Sequence, residues 1–169
     1  MESCRLLIRP VRQEDEGPFT RGIADRALRV SYGFPADADE TVALKIFRHF
    51  SGLDRAFSLK DRESGEMIGF LLAVAPELPD EVMAGLPGKG RTLAYAVFPP
   101  FQRRGYMKEA LGTVIRQLFQ NSEAEYIHCG HFEENDASRE LLRGLGFREL
   151  SRHTVNGRII IDEILFPAP

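Results

Sequence analysis

The chain has 169 residues, 43% of them hydrophobic and 28% charged, which suits one globular core and leaves too little for two comfortable domains. A single domain over residues 1–169 is therefore the expectation, and a formal net charge of −3 offers no broad basic surface, so nucleic acid is not an expected partner. No apolar run approaches the roughly 20 residues of a membrane span, and Met1 to Arg5 lead straight into Leu6-Leu7-Ile8 without a long signal-type apolar region, so the reading is of a cytoplasmic protein that does not engage a membrane.

Cys4 to Arg9 has strand composition and is closed by Pro10, and the acidic stretch Gln13 to Glu16 then suits the positive end of a helix running to about Leu28. Gly33 to Glu40 is a loop with several capping candidates. Val42, Leu44, Ile46, Phe47 and Phe50 supply the apolar face of a second helix, which Ser51-Gly52 ends. Arg55 to Lys60 and Met67 to Val74, joined by the turn at Glu63 to Glu66, read as an antiparallel hairpin. Pro76 to Arg91 turns to Pro, Gly and acidic residues and is too long for a tight turn, so it is a candidate substrate-side or interface loop. Gly85 to Gly90 within it lacks the spacing of a nucleotide P-loop.

Leu93 to Phe98 is the next strand, stopped by Pro99-Pro100 because neither proline donates a ladder hydrogen bond. Met107, Ala110, Leu111, Val114, Ile115, Leu118 and Phe119 then recur at helical spacing. Glu125 to Phe132 is a further strand, Asp136 to Arg143 a helix, and Phe147 to Thr154 with Arg158 to Phe166 a terminal hairpin around Asn156-Gly157. This order predicts an α/β (α+β) fold: a mixed, mostly antiparallel sheet of about seven strands flanked by helices. Cys4 and Cys129 are too few and too distant in sequence for a disulfide framework or a zinc knuckle, and His128 and His131, three apart on a strand, face opposite sides, so no metal is expected.

The chemistry concentrates at Gln102-Arg103-Arg104-Gly105-Tyr106-Met107, where a strand hands over to a helix. Gly105 permits unusual dihedrals and close approach of a ligand, the first helical amides have no intrahelical acceptor, and Arg103 and Arg104 add full charges to the positive helix end. Together they form a cradle for a diphosphate. Asn135 is a candidate N-cap of the helix that carries Ser138.

With the element order, that loop resembles the pyrophosphate loop of the GNAT superfamily of acetyl-coenzyme A dependent N-acetyltransferases, Met107 standing where the family usually has a small residue. Asn135-Asp136-Ala137-Ser138, followed by the helix and Gly146-Phe147, is similar to the family's Asn-x-x-Ser segment and its Gly-Phe exit, and Arg5 to Pro10 is most similar to the RimJ and RimL type branch, the ribosomal-protein alanine N-acetyltransferases. The resemblance implies acetyl-CoA as co-substrate and a primary amine as acceptor, either a peptide or protein N-terminal α-amine or a small-molecule amine, joined by direct attack in a ternary complex. It implies that the backbone of Ala96, Val97 and Phe98 holds the pantetheine arm, that Gln102 to Met107 hold the pyrophosphate, and that Asn135 binds the arm while the Ser138 hydroxyl stands near the sulfur as candidate proton donor.

The tyrosine many relatives place in this helix is Leu142 here, and no glutamate interrupts Leu93 to Phe98, where several relatives place a base. Tyr95 and Tyr106 are other hydroxyls in this part of the sequence, while Glu133, Glu134 and His131 are candidate bases that read equally as loop and sheet-surface residues. Without a strong base the acceptor should have a low pKa: an α-amine near 8 is about one-tenth neutral at pH 7, a lysine amine near 10.4 roughly one part in 2,500, a difference of about 3 kcal/mol. The missing residues also keep open a module that binds acyl-CoA without turnover. Family members often pair, which makes a homodimer a further expectation.

Overall fold

The computed structural model describes residues 1–34, 39–76 and 78–168. The strands are β1 (Leu6–Pro10), β2 (Ala56–Asp61), β3 (Met67–Val74), β4 (Gly90–Val97), β5 (Tyr126–Phe132), β6 (Arg148–Val155) and β7 (Arg158–Leu165). The helices are α1 (Glu16–Gly22), α2 (Arg26–Ser31), α3 (Glu40–Ser51), α4 (Asp80–Met83), α5 (Tyr106–Gln120) and α6 (Asp136–Arg143). The sheet is mixed, in the order β1-β2-β3-β4-β5-β7-β6, with β4 and β5 parallel and the other described pairs antiparallel. The predicted α/β class with seven strands and flanking helices is the observed one.

Two compact units divide the chain, residues 1–72 with 95–113, and residues 73–94 with 114–169. In the first, β1 pairs with β2 and β2 with β3, and a cluster of Phe19, Phe47, Phe50 and Phe70 rings with centroids 5.2 to 5.5 Å apart packs α1 and α3 on them. Arg9 reaches from β1 to the buried Asp15 with two hydrogen bonds of 2.8 and 2.9 Å. The single helix expected from Gln13 to Leu28 is instead a 3-10 turn at Gln13–Asp15 followed by α1 and α2. Asp25 interrupts it: its backbone is extended and its carboxylate accepts from the Leu28 amide at 2.8 Å, so a cap forms where a continuous helix would leave no role for that side chain. Pro10 ends β1 as a paired residue, which a strand at the sheet edge tolerates.

In the second unit β5, β7 and β6 form an antiparallel ladder, closed by a turn with positive φ at Asn156 (51°) and Gly157 (77°), the backbone signature of the type I′ hairpin expected from this dipeptide. The stretch from Pro76 to Arg91, expected as loop throughout, contains the one-turn helix α4 and the first residues of β4, while Glu77 lies outside the described residues. Residues 35–38 of the predicted Gly33 to Glu40 loop also lie outside them; Asp39 caps α3 by accepting from the Val42 amide. Register pairs between β4 and β5 end at Thr92 and His128, although both strands continue.

Candidate active site

In the first unit β4 delivers the chain to the basic loop. The Phe98 amide donates to the Ile68 carbonyl at 2.8 Å, so of the three residues expected to offer backbone to an acyl carrier this amide is already committed. Strand alternation turns the Val97 amide to the opposite edge. Gln102 Nε2 donates to the Val97 carbonyl at 2.9 Å, which gives Gln102 a bracing role in the turn, and Ala96 is buried.

Beyond the Pro99–Phe101 turn, Arg103 has φ 61° and Gly105 φ 78°, while Arg104 between them has negative φ. Alternating backbone handedness of this kind directs successive N–H groups to one side and makes an anion-binding concavity. Among the described residues the amides of Arg103, Arg104 and Gly105 have no acceptor, and the first α5 amides, Tyr106 and Met107 among them, are orphaned by helix geometry. Arg103, Arg104 and Gly105 are exposed, and among the described residues, its two chain neighbours aside, a Cβ built on Gly105 would have only Arg5 Nη2 within 4 Å, at 3.6 Å. The cradle therefore fits a phosphorylated ligand in both charge and space. Met107, in the family's small-residue slot, is buried in the core.

The cradle is held from behind. Arg5 donates from Nη1 to the Arg104 carbonyl at 2.9 Å and from Nε to Glu109 Oε2 at 2.8 Å, and its guanidinium lies 4.5 Å from the centroid of the Tyr106 ring. The Arg5 amide and the Ser3 hydroxyl both donate to Glu109 Oε1 at 2.7 Å. Burial would raise the Glu109 carboxyl, but these donors and the Arg5 charge hold it below the usual carboxylate range. Tyr106 donates its hydroxyl to Asp61 Oδ2 at 2.9 Å.

In the second unit Asn135 caps α6, its Oδ1 accepting from the Ser138 amide at 3.1 Å. Capping thus occupies the carbonyl end of Asn135, and Ser138 is half-buried in the first helical turn. Leu142, in the family's tyrosine position, is fully buried.

Each candidate base has a partner. Glu133 accepts from Arg152 at 2.9 Å and Glu134 from Arg158 at 2.8 Å. His131, expected at the sheet surface, is buried, with Nδ1 2.9 Å from the Phe132 carbonyl oxygen and Nε2 3.1 Å from Glu163 Oε1, so acceptors occupy both ring nitrogens. Cys129 is buried and burial pushes its thiol up, which removes it as a nucleophile. His128 pairs with Asp162 and His131 with Glu163 on opposite sheet faces, as their spacing predicted. Among the described residues no group of three or more His, Cys, Asp or Glu is placed to hold a metal ion, and no helix is long and apolar enough to cross a membrane.

Sequence reading missed Arg5, Glu109 and Asp61 around the loop, and Asp162, Glu163 and His153 in the second unit. Asp162-Glu163 did leave a signal: two adjacent carboxylates interrupt the run Ile159-Ile160-Ile161 before Ile164. No alternating strand with one wet face needs charges on both sides.

A mixed sheet whose fourth strand opens into an anion nest is the frame of an acyltransferase that draws its acyl group from a phosphorylated carrier. The family model described as an acetyltransferase (GNAT) domain matches residues 5–148, and the chain belongs to this family, whose members transfer acetyl from acetyl-CoA. Among solved structures it is similar to a GNAT-family acetyltransferase from Bacillus anthracis (TM-score 0.82, 14% identity, 98% of this chain and 97% of that one). It is also similar to the ribosomal-protein-S5-alanine acetyltransferase from Vibrio fischeri (TM-score 0.70, 16% identity, 98% and 95%). A third is RimL, the ribosomal L7/L12 α-N-protein acetyltransferase solved with coenzyme A (TM-score 0.75, 15% identity, 97% and 95%). At these identities the likeness is one of fold. No curated protein sequence matches at a significant level.

Proposed function

We propose that the chain, acting as one domain over residues 1–169, transfers acetyl from acetyl-CoA to a peptide or protein N-terminal α-amine by direct attack in a ternary complex. The observation that carries the reading is the nest of residues 103–105, with unengaged amides, flanking arginines and the start of a 15-residue helix behind it. Arg103 and Arg104 neutralise the pyrophosphate while the amides from Arg103 to Met107 orient it. The backbone of Ala96 and Val97 holds the pantetheine arm, with the Val97 amide as the donor best placed by strand alternation. Asn135 Nδ2, left over by the cap, serves the arm, and the Ser138 hydroxyl protonates the departing thiolate.

The absence of a carboxylate on β4 favours acceptors that are partly neutral at physiological pH, which selects α-amines over lysine side chains by about 3 kcal/mol before any contact is made. The solved relatives named for ribosomal-protein alanine acetylation support the same acceptor class. The test is thiol release from acetyl-CoA with matched peptides bearing either a free α-amine or a lysine as the sole amine. Faster turnover of the α-amine peptide is expected, with Ser138→Ala lowering kcat roughly 10- to 100-fold. Faster lysine acetylation would overturn the acceptor assignment.

A further inference from the structure

Gly105 answers one need of the nest and creates another. Glycine takes either sign of φ about as readily, so the residue that lets the chain turn at 78° also leaves the peptide unit before it able to rotate its amide away from a ligand. In a trans peptide the carbonyl and the amide point in opposite directions. Whatever holds the Arg104 carbonyl therefore decides where the Gly105 N–H points.

The hold comes from within the first unit. Arg5 Nη1 donates to the Arg104 carbonyl at 2.9 Å, while Nε donates to Glu109 Oε2 at 2.8 Å and the Tyr106 ring centroid lies 4.5 Å from the guanidinium carbon. Glu109 is fixed in turn, its Oε1 accepting from the Arg5 amide and the Ser3 hydroxyl, both at 2.7 Å. The same residue holds the next peptide unit directly, its amide donating to the Gly105 carbonyl at 3.2 Å. Two consecutive carbonyls are thus engaged by Arg5 and Glu109, and the amides of those two units, Gly105 N–H and Tyr106 N–H, are turned the other way. Among the described residues neither amide has an acceptor.

Charge adds a second consequence. A carboxylate in the first turn of α5 complements the positive helix end, but the same charge opposes a phosphate arriving there. Arg5 offsets it. A cation on the Arg104 carbonyl also polarises the amide at the far end of that peptide, which strengthens Gly105 N–H as a donor.

We infer that Arg5 and Glu109 are positioning residues for the acyl carrier: Glu109 aims the guanidinium, and Arg5 sets the Arg104–Gly105 peptide so that the Gly105 amide donates to the diphosphate. The inference rests on the assignment of the nest to the carrier made above. Its signature is a defect in carrier binding that is visible at one amide.

The experiment titrates the chain, labelled with nitrogen-15 at glycine, with coenzyme A, for the wild type, Arg5→Ala, Arg5→Lys and Glu109→Gln. The Gly105 signal is identified by its loss in Gly105→Ala. In the wild type the Gly105 amide proton should move downfield on saturation as it bonds to phosphate. Arg5→Ala should raise Kd about tenfold and shrink that shift, while the signals of Gly17 in α1 and Gly52 at the end of α3 stay in place, a pattern that general loosening of the unit would not produce. Glu109→Gln should raise Kd roughly fivefold, and the double variant of Arg5→Ala with Glu109→Gln should bind no worse than Arg5→Ala, because both changes act on one peptide. Arg5→Lys should recover little, since an ammonium lacks the fork that serves carbonyl and carboxylate together. Wild-type Kd with a wild-type Gly105 shift in Arg5→Ala would overturn the inference while the carrier assignment stands. Binding that leaves the wild-type Gly105 amide unmoved would overturn it too, and failure of the wild type to bind coenzyme A would remove the carrier assignment and the inference together. If Arg5→Ala does not fold, the same two readings on Glu109→Gln decide.

Discussion

The Arg5 guanidinium donates to the main-chain carbonyl of Arg104 at 2.9 Å, joining the segment just before the first strand to the middle of the anion nest. Because Glu109 fixes the same guanidinium from α5, the loop between Arg103 and Tyr106 is clamped at its least favourable dihedrals before any ligand arrives. Preorganisation of this kind lowers the ordering cost of binding and leaves the chemical step alone. Arg5→Ala should therefore raise the KM for acetyl-CoA about tenfold, the scale of a charged hydrogen bond of about 1.5 kcal/mol, with kcat within a factor of two. Steady-state kinetics in both substrates checks this, and a kcat loss at unchanged KM would contradict it.

Gly105 is the second lever. With φ at 78°, alanine there meets backbone strain of roughly 1–2 kcal/mol and places a methyl group about 3.6 Å from Arg5 Nη2, against the clamp that sets the nest. Gly105→Ala should weaken acetyl-CoA binding at least tenfold while lowering Tm by only about 2–6 °C. Equal losses in a variant distant from the loop, with Tm matched, would remove the special role of this position.

Much of the fold was legible because most elements announce themselves locally. Helical apolar spacing places α5, proline pairs end β4, and Asn156-Gly157 sets the last hairpin. The long first helix failed where a capping aspartate, Asp25, outweighed apolar periodicity. In the candidate site, the nest follows from local sequence, whereas its clamp joins residues about a hundred positions apart and has no local signature. The pairing of His153 with Asp162 was illegible for a different reason: a one-residue bulge at Leu150 decides which face His153 occupies, and strand alternation alone assigns the wrong one.

Arg9 and Asp15 form a buried two-point ion pair, with the Asp15 carboxylate also accepting from the Arg12 amide at 2.9 Å. Removing Asp15 takes away the buried carboxylate and leaves Arg9 with Glu14 at 2.7 Å and the Pro10 carbonyl at 3.0 Å. Asp15→Ala should therefore destabilise the protein by about 1.5–3 kcal/mol, the scale of a hydrogen bond between charged groups, read as a lower urea midpoint at unchanged m-value. A loss below about 1 kcal/mol would show that water reaches Arg9 freely.

Acid should act through Asp162. Burial raises this carboxyl, but hydrogen bonds from His128 and Ser151 and the imidazoles of His128 and His153 outweigh burial and hold it below the usual range. A depressed folded value means that the stabilisation is complete above the unfolded value, near 3.9, and is lost as pH falls through the folded one. Urea midpoints should therefore be flat in this contribution down to about pH 4.5 and fall below it, more steeply in the wild type than in Asp162→Asn. Parallel curves for the two proteins would contradict this.

Calorimetric titration of the folded wild-type chain with acetyl-CoA probes the nest most directly. Saturable one-to-one binding is expected, weakened by added salt and lost in an Arg103→Glu, Arg104→Glu double variant that stays folded. Absence of binding heat at several temperatures, from protein whose far-UV spectrum and cooperative unfolding are intact, would contradict the assignment of residues 103–107 as the seat of the acyl carrier.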